Sequence, residues 1–303
     1  MLEEWKIARM QRAQFRVVGN HSAVKICHWT KQVLRGIAPC YKQSFYGIHT
    51  HKCLEMSPAL TCNQRCLHCW RDTSIFSKDW TGPIDEPSDI IEGCIAERKK
   101  LLTGFGGNEK CDPEFFQDAL EPDQVAISLT GEPCMYPRLN ELIDEFFNKK
   151  FRSVFLVTSG TVPDSLRSLN RLPTNLYVSL TAPDPEKYRE LCRPVIPGAW
   201  EKLNESLELL SKMKTGTVLR LTLIRGMNMS EPEKFVPLIE KAKPEFVECK
   251  AYMFLGHSRK RLSEENMPEM PEIRAFAEAI GENSDYRIVN ERNDSRICLL
   301  GRD

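Results

Sequence analysis

Long apolar runs are absent from the chain. The longest, Ala251 to Leu255, holds five residues, where a membrane-crossing helix needs about 20 and the core of a secretory signal about 7–15. The sequence therefore predicts no membrane segment and a cytoplasmic location. Net charge is absent too, since 42 Lys and Arg offset 42 Asp and Glu in 303 residues. There is no repeat at a solenoid or propeller period. No Gly-, Ser- or Pro-rich linker divides the chain, and collagen-like and low-complexity classes are excluded. What remains is a composition near the globular average, 41% hydrophobic. A chain of this length can bury a full core, as two domains or as one α/β barrel.

The zero net charge hides an asymmetry. Residues 1–53 carry nine Lys or Arg against two acids, a surplus of seven that the other residues cancel. Trp5, Phe15, Trp29, Tyr41, Phe45 and Tyr46 lie among these bases. A basic, aromatic-studded segment on an acidic body points to a polyanion, most often nucleic acid. A solvated basic arm without a partner explains the charge equally well.

Beyond residue 53, β-rich runs alternate with helical patterns. Strands are expected at Leu54–Leu60, Val125–Thr130, Ser153–Thr158, Leu176–Leu180, Val218–Ile224 and Phe246–Tyr252. Helices are expected near Pro87–Leu102, Arg138–Lys149, Asp164–Leu169, Ala199–Lys212, Glu233–Ala242 and Pro271–Ile280. Six strands alternating with helices predict parallel βαβ units. The expected fold is α/β, an incomplete (β/α)6 TIM-like barrel over 54–284. It carries a basic, cysteine-bearing extension at 1–53 and a second extension at 285–303. In such folds chemistry gathers at the carboxyl ends of the strands. The segments Cys62–Cys69, Gly131-Glu132-Pro133 and Ser159-Gly160-Thr161 follow the first three strands in turn. Thr103-Gly104-Phe105-Gly106-Gly107 lacks both the preceding strand and the Gly-Lys-Ser/Thr of a phosphate loop, and reads as a plain loop.

Twelve cysteines without a targeting signal suggest metal binding rather than a secreted disulfide framework. Cys62, Cys66 and Cys69 form a C-x3-C-x2-C loop. Three thiolates leave a tetrahedral zinc one ligand short, unless His68 turns inward. A [4Fe–4S] cubane held by three thiolates instead keeps one iron open for a small ligand. Cys27, Cys40 and Cys53 form a second set whose spacing matches no general metal motif. The other six cysteines read as ordinary buried thiols.

The cysteine loop continued by Trp70, together with Gly131-Glu132-Pro133, resembles the radical S-adenosylmethionine superfamily. The resemblance narrows at Cys40 to Ile48 and at His51 to Pro58. It extends to Cys69-Trp70-Arg71-Asp72, and to Ser258 through Leu262 with Asn266-Met267-Pro268. These stretches are similar to the tRNA 4-demethylwyosine synthases of wybutosine biosynthesis, across nearly all of the chain. Thr158-Ser159-Gly160-Thr161 departs from the Ser-Asn-Gly-Thr expected there, although serine can still hydrogen-bond a cofactor.

The resemblance implies two [4Fe–4S] clusters and S-adenosylmethionine. Cys62, Cys66 and Cys69 would hold the cofactor-binding cluster, and Cys27, Cys40 and Cys53 an auxiliary one. Gly131, Glu132 and Pro133 would receive the methionine ammonium group. Ser159, Ser179 and Arg220 would face the cofactor, the last two being readable equally as satisfied barrel residues. The implied substrates are N1-methylguanosine of phenylalanine tRNA and pyruvate, joined by a carbon–carbon lyase chemistry. Lys42 is the candidate for an imine with pyruvate, with charge pairing as the alternative and Lys25, Lys31 and Lys52 as rivals. Arg9, Arg12 and Arg16, with Arg259, Lys260 and Arg261, are candidates for RNA phosphate. Trp29, Tyr46 and Trp70 offer stacking faces for a base. The absence of room for a flavodoxin-like domain implies an external one-electron donor, and a monomer is expected. A radical peptide-maturing enzyme with an auxiliary cluster and a zinc-stabilised RNA-binding module are the alternatives.

Overall fold

The computed structural model describes residues 3–302; the outermost residues of both expected extensions, Met1, Leu2 and Asp303, lie outside the described residues. The chain forms two compact units. The first takes the described residues up to Thr61, then Asp79–Val157 and Leu169–Thr174; the second takes Cys62–Lys78, Thr158–Ser168 and the residues from Asn175 onward.

The first unit is built on five strands: β1 (Arg16–Val18), β2 (Ser22–Lys25), β3 (Cys53–Ser57), β4 (Gln124–Ile127) and β5 (Ser153–Thr158). The β1–β2 hairpin joins β3 antiparallel, while β3, β4 and β5 run parallel. The basic segment is thus stitched into the sheet rather than hanging from it. All four residues of β4 are buried, as a parallel strand covered on both faces demands. The helix Pro87–Leu102 buries Ile90, Ile91, Cys94 and Leu102, and ends in a short 3-10 turn at Thr103–Phe105 instead of an open loop.

The second unit is built on β6 (Asn175–Ser179), β7 (Gly216–Leu223), β8 (Phe246–Ala251), β9 (Tyr286–Arg292) and β10 (Ile297–Arg302). Strands β6, β7 and β8 are parallel, and β10 adds antiparallel to β8 with β9 outside it. The expected carboxy-terminal extension is therefore largely a hairpin that lengthens this sheet. Six parallel strands, three in each unit, fall where alternation predicted them. The helices Pro113–Leu120 and Pro185–Cys192 were not predicted.

Candidate functional site

Cys27, Cys40 and Cys53 open three different elements of the first unit. Cys27 caps the helix His28–Val33, Cys40 precedes the helix Tyr41–Tyr46, and Cys53 begins β3. The Cys27 sulfur accepts the Thr30 N–H at 3.2 Å, a cap contact that favours a thiolate. Buried Thr50 knots the three segments together. Its hydroxyl accepts the Cys40 N–H at 3.0 Å and donates to Gln43 Oε1 at 2.9 Å, and its carbonyl accepts the Thr30 hydroxyl at 3.1 Å.

Burial pushes the Cys27 thiol far up, and the charges of Glu55, Cys53 and Cys40 push it further. Burial raises Cys53 to about 12, opposed by the cations of Lys42 and Arg98. Neighbouring thiols with raised values ionise together only when a metal takes them as ligands. Among the described residues, no three His, Cys, Asp or Glu side chains close on a single-ion position. The fit to a cluster lies in the donor chemistry, three sulfurs in one shared field with cations beside them. Lys42 is buried, with its Nζ 4.5 Å from the centroid of the Phe155 ring.

In the second unit the cysteine loop is held through its backbone. Cys62 N–H donates to Ser77 O at 3.0 Å, Arg65 N–H to Cys192 O at 3.1 Å and Leu67 N–H to Leu191 O at 2.8 Å. Arg261 reaches across from distant sequence, donating to Leu67 O at 3.0 Å and to Cys69 O. His257 N–H donates to Trp70 O at 2.8 Å. Beside it, Gly256 has φ +54°, and a Cβ there would meet Trp70 O at 2.3 Å, so only glycine fits. A hydrogen bond with Cys192 and then burial hold Cys66 far above its ordinary value, while burial raises Cys69 against the pull of Arg71. Burial and the charges of Arg71 and Arg261 depress His68 to about 4. Three thiols on one short loop, with arginines beside Cys66 and Cys69, suit a cluster as the first set does.

The Gly131-Glu132-Pro133 turn follows β4 in the first unit. Gly131 has φ +67°, and a Cβ there would stand 2.1 Å from Ala59 O. Glu132 N–H donates to Thr61 O at 2.7 Å, and its buried carboxylate accepts the Cys134 N–H at 3.0 Å. The glycine lets two backbones touch; the carboxylate fixes the turn after it.

Residues 56–239 match the model of the radical SAM superfamily, and residues 241–302 match that of wyosine base formation. The S-adenosyl-L-methionine-dependent tRNA 4-demethylwyosine synthase of Pyrococcus abyssi is 47% identical over 98% of this chain and 89% of its own length. The chain belongs to the tRNA 4-demethylwyosine synthases. An Arabidopsis thaliana synthase is 38% identical over 97% of this chain, which spans 46% of that longer protein. A solved structure of TYW1 with a bound lysine–pyruvate adduct is 38% identical, with a TM-score of 0.88 over 100% of this chain and 96% of that one. Membership makes this protein an enzyme of the radical SAM type, dependent on S-adenosylmethionine and a [4Fe–4S] cluster. The α/β class, read as an incomplete (β/α)6 barrel, holds with it.

The remaining candidates of this synthase take distinct places. The Ser159 hydroxyl pairs with that of Thr161 at 2.8 Å, and Thr161 donates to Asn63 Oδ1 of the cysteine loop at 2.8 Å. Ser179 ends β6 in register with Arg220 of β7. Arg220 forms an ion pair with the fully buried Glu248, which also accepts from the Tyr177 hydroxyl at 3.1 Å. Arg9 and Arg12 are exposed on the helix Glu4–Arg12, and Arg16 lies 3.8 Å from Glu97. A cavity of about 330 Å³ in the first unit is lined by Gln11, Gln14, Arg16, Lys31, Arg35 and Phe105 among others. Arg259 and Lys260 are exposed. Arg261 corrects the expected surface patch, because its guanidinium is spent on the loop carbonyls. Sequence reasoning missed Thr50, Asn63, Glu248 and Arg98. For Arg98 a signal existed: it falls on the apolar stripe of its helix, four residues after Cys94 and four before Leu102.

Proposed function

We propose that this protein condenses N1-methylguanosine of phenylalanine tRNA with pyruvate to give the tricyclic base 4-demethylwyosine, a carbon–carbon lyase reaction in which the pyruvate carboxylate carbon is cleaved off and cyclisation onto the guanine expels water. The observation that carries the reading is the near-complete match to synthases of that name, with the wyosine-forming part present at 241–302. Cys62, Cys66 and Cys69 would hold the [4Fe–4S] cluster, which when bound would supply the electron for reductive cleavage of S-adenosylmethionine. Gly131, Glu132 and Pro133 receive the methionine ammonium group, with Ser159, Ser179 and Arg220 as further cofactor contacts. The adduct in the TYW1 neighbour supports a covalent role for a lysine. Lys42 takes it: Nζ adds to the keto carbon, water leaves, and a C=N bond replaces C=O. Cys27, Cys40 and Cys53 hold the auxiliary cluster beside it.

Arg9, Arg12 and Arg16 of the first unit, and Arg259 and Lys260 of the second, contact tRNA phosphates. The protein works as a cytoplasmic monomer on electrons from a separate donor. Its regions are an amino-terminal cysteine-bearing segment (1–53), the radical SAM part (54–284) and a carboxy-terminal extension (285–303). The test is anaerobic reconstitution with N1-methylguanosine tRNA, pyruvate and S-adenosylmethionine, followed by mass analysis of the digested nucleosides. The tricyclic nucleoside is expected. Formation of 5′-deoxyadenosine with unchanged tRNA at every pyruvate concentration would overturn the reading.

A further inference from the structure

Arg98 is a buried cation that the catalytic reading leaves unexplained. It lies on the helix Pro87–Leu102 between Cys94 and Leu102, on the stripe that faces the core, and it is 0% exposed. Its guanidinium donates to the carbonyls of Ala119 and, at 2.5 Å, His51, while Nε has no acceptor. Among the described residues no carboxylate forms an ion pair with it; Glu121 acts only as a more distant charge. Burial lowers it no further than about 10, so it is a cation at neutral pH. A charge shut away from water without a counter-charge is strongly unfavourable.

The missing anion has an address. The His51 carbonyl that Arg98 holds lies two residues before Cys53, and Cys53 and Cys27 head the groups whose negative charge Arg98 feels. As thiols they offer it nothing. An oxidised cubane core held by three thiolates carries one net negative charge, and a second once reduced.

We propose that Arg98 is the buried counter-cation of the auxiliary cluster, a positioning residue whose charge is matched only when Cys27, Cys40 and Cys53 hold iron. This rests on the auxiliary-cluster reading given above. Lys42 does not fill the same role, because its nitrogen is committed to pyruvate. The empty protein therefore bears an unmatched charge that loading relieves, and reduction of the cluster is favoured by a cation that never leaves.

The test separates charge from bracing. In the full chain with Cys62, Cys66 and Cys69 replaced by alanine, only the auxiliary cluster remains. Arg98→Gln keeps a donor for the carbonyls and removes the charge; Arg98→Lys keeps the charge. Iron per chain, the midpoint potential followed by electron paramagnetic resonance, and the Tm of empty and loaded protein are measured for each. Arg98→Gln should shift the one-electron equilibrium about tenfold towards the oxidised state, 59 mV for one electron, and lower the Tm of the loaded protein only. Arg98→Lys should restore the potential. An unchanged potential and iron content in Arg98→Gln would overturn the proposal. So would an empty Arg98→Gln protein that melts earlier or does not fold, since that is the mark of a brace. If the parent with Arg98 intact takes up no iron, the auxiliary-cluster reading itself falls, and this proposal with it.

Discussion

In the second unit three cysteines fall within the eight residues Cys62–Cys69, and the backbone carbonyls of Leu191, Cys192 and Arg193, with the guanidinium of Arg261, shape the loop around them. In the first unit the three thiols are spread from Cys27 to Cys53, each at the start of its own element, and side-chain hydroxyls tie them. One site is local in sequence and held from afar; the other is dispersed and held by a single threonine. The electrostatics differ as well. Arg71 and Arg261 act on the loop, whereas Lys42 and Arg98 oppose burial at Cys53 while Glu55 adds to it. A contiguous loop draws its rigidity from distant partners, and a knot of separate elements draws it from the folding of its own segments.

Emptying each site is the hardest way to break the comparison. Replacing Cys62, Cys66 and Cys69 by alanine should abolish 5′-deoxyadenosine formation and about halve the iron bound, by chromatography and iron analysis. Replacing Cys27, Cys40 and Cys53 should remove the other half and leave uncoupled cleavage of S-adenosylmethionine. Equal loss of cleavage in both variants would mean that the sites do not divide the labour.

Lys42→Arg is the next largest perturbation. The variant keeps the charge beside Cys53 and cannot form the imine. Borohydride in the presence of pyruvate should add mass to the Lys42 peptide of the parent and none to the variant, with product formation lost. A fully active variant would leave Lys42 only a charge-pairing role.

Two stability changes probe the different scaffolds. Gly256→Ala forces a Cβ against Trp70 O in a left-handed backbone, and should cost about 1–3 kcal/mol with loosening of the cysteine loop. Thr50→Val strands the Cys40 N–H, while the residue-50 N–H still donates to Gln43 Oε1, with a loss of about 1–3 kcal/mol. Urea melts give the energies. Iron retention should fall at the loop cluster in the first variant and at the auxiliary cluster in the second; the reverse pattern would refute the assignment of scaffolds.

Much of this was legible in the sequence. The parallel strands announced themselves because each is a short β-rich run followed by a helical pattern, and the C-x3-C-x2-C loop because its spacing is its geometry. The helix Pro185–Cys192 was hidden by its own start signal: Asp184 caps it by accepting the Lys187 N–H at 2.8 Å, and Pro185 occupies its first turn, yet Pro183 and Pro185 in such close succession resemble a turn. The hairpin β9–β10 escaped because β9 is largely half-buried or exposed and lacks an apolar face. Thr50 and Arg261 were out of reach for another reason. A threonine or an arginine does not announce which distant carbonyl it will meet, and Arg261 looked like surface charge beside Arg259 and Lys260. Arg98 was within reach, since a charge on a buried stripe breaks the helix's own pattern.

A smaller effect tests the basic segment. If its side chains neutralise Z phosphates, log K for tRNA should fall against log salt with a slope near 0.9Z, taking duplex DNA as the guide. Alanine at Arg9, Arg12 and Arg16 should flatten that slope by about one for each phosphate no longer neutralised; alanine at Arg259 and Lys260 should do less, with Glu264 and Glu265 close by in sequence. An unchanged slope would make the segment a solvated surface.

The smallest effect is on pH. Burial lowers His21 in the first unit, and burial with two arginines lowers His68 in the second, both from an ordinary value of 6.5. As pH drops through 6.5 the unfolded chain binds protons that the folded chain refuses, so stability falls until about 4, where folded His68 also protonates. The urea midpoint of the iron-free protein should decline over that window, and His68→Gln should make the decline shallower.

Arg261 donates to the Cys69 carbonyl across 192 residues of sequence. On a ribosome, the cysteine loop emerges long before the arginine that closes it has been translated. Its thiols are exposed to oxidants, and to any passing metal, throughout that interval. Closure of this loop is consequently an event that follows chain elongation past residue 261, and translation speed over the second half of the message sets how long the loop waits.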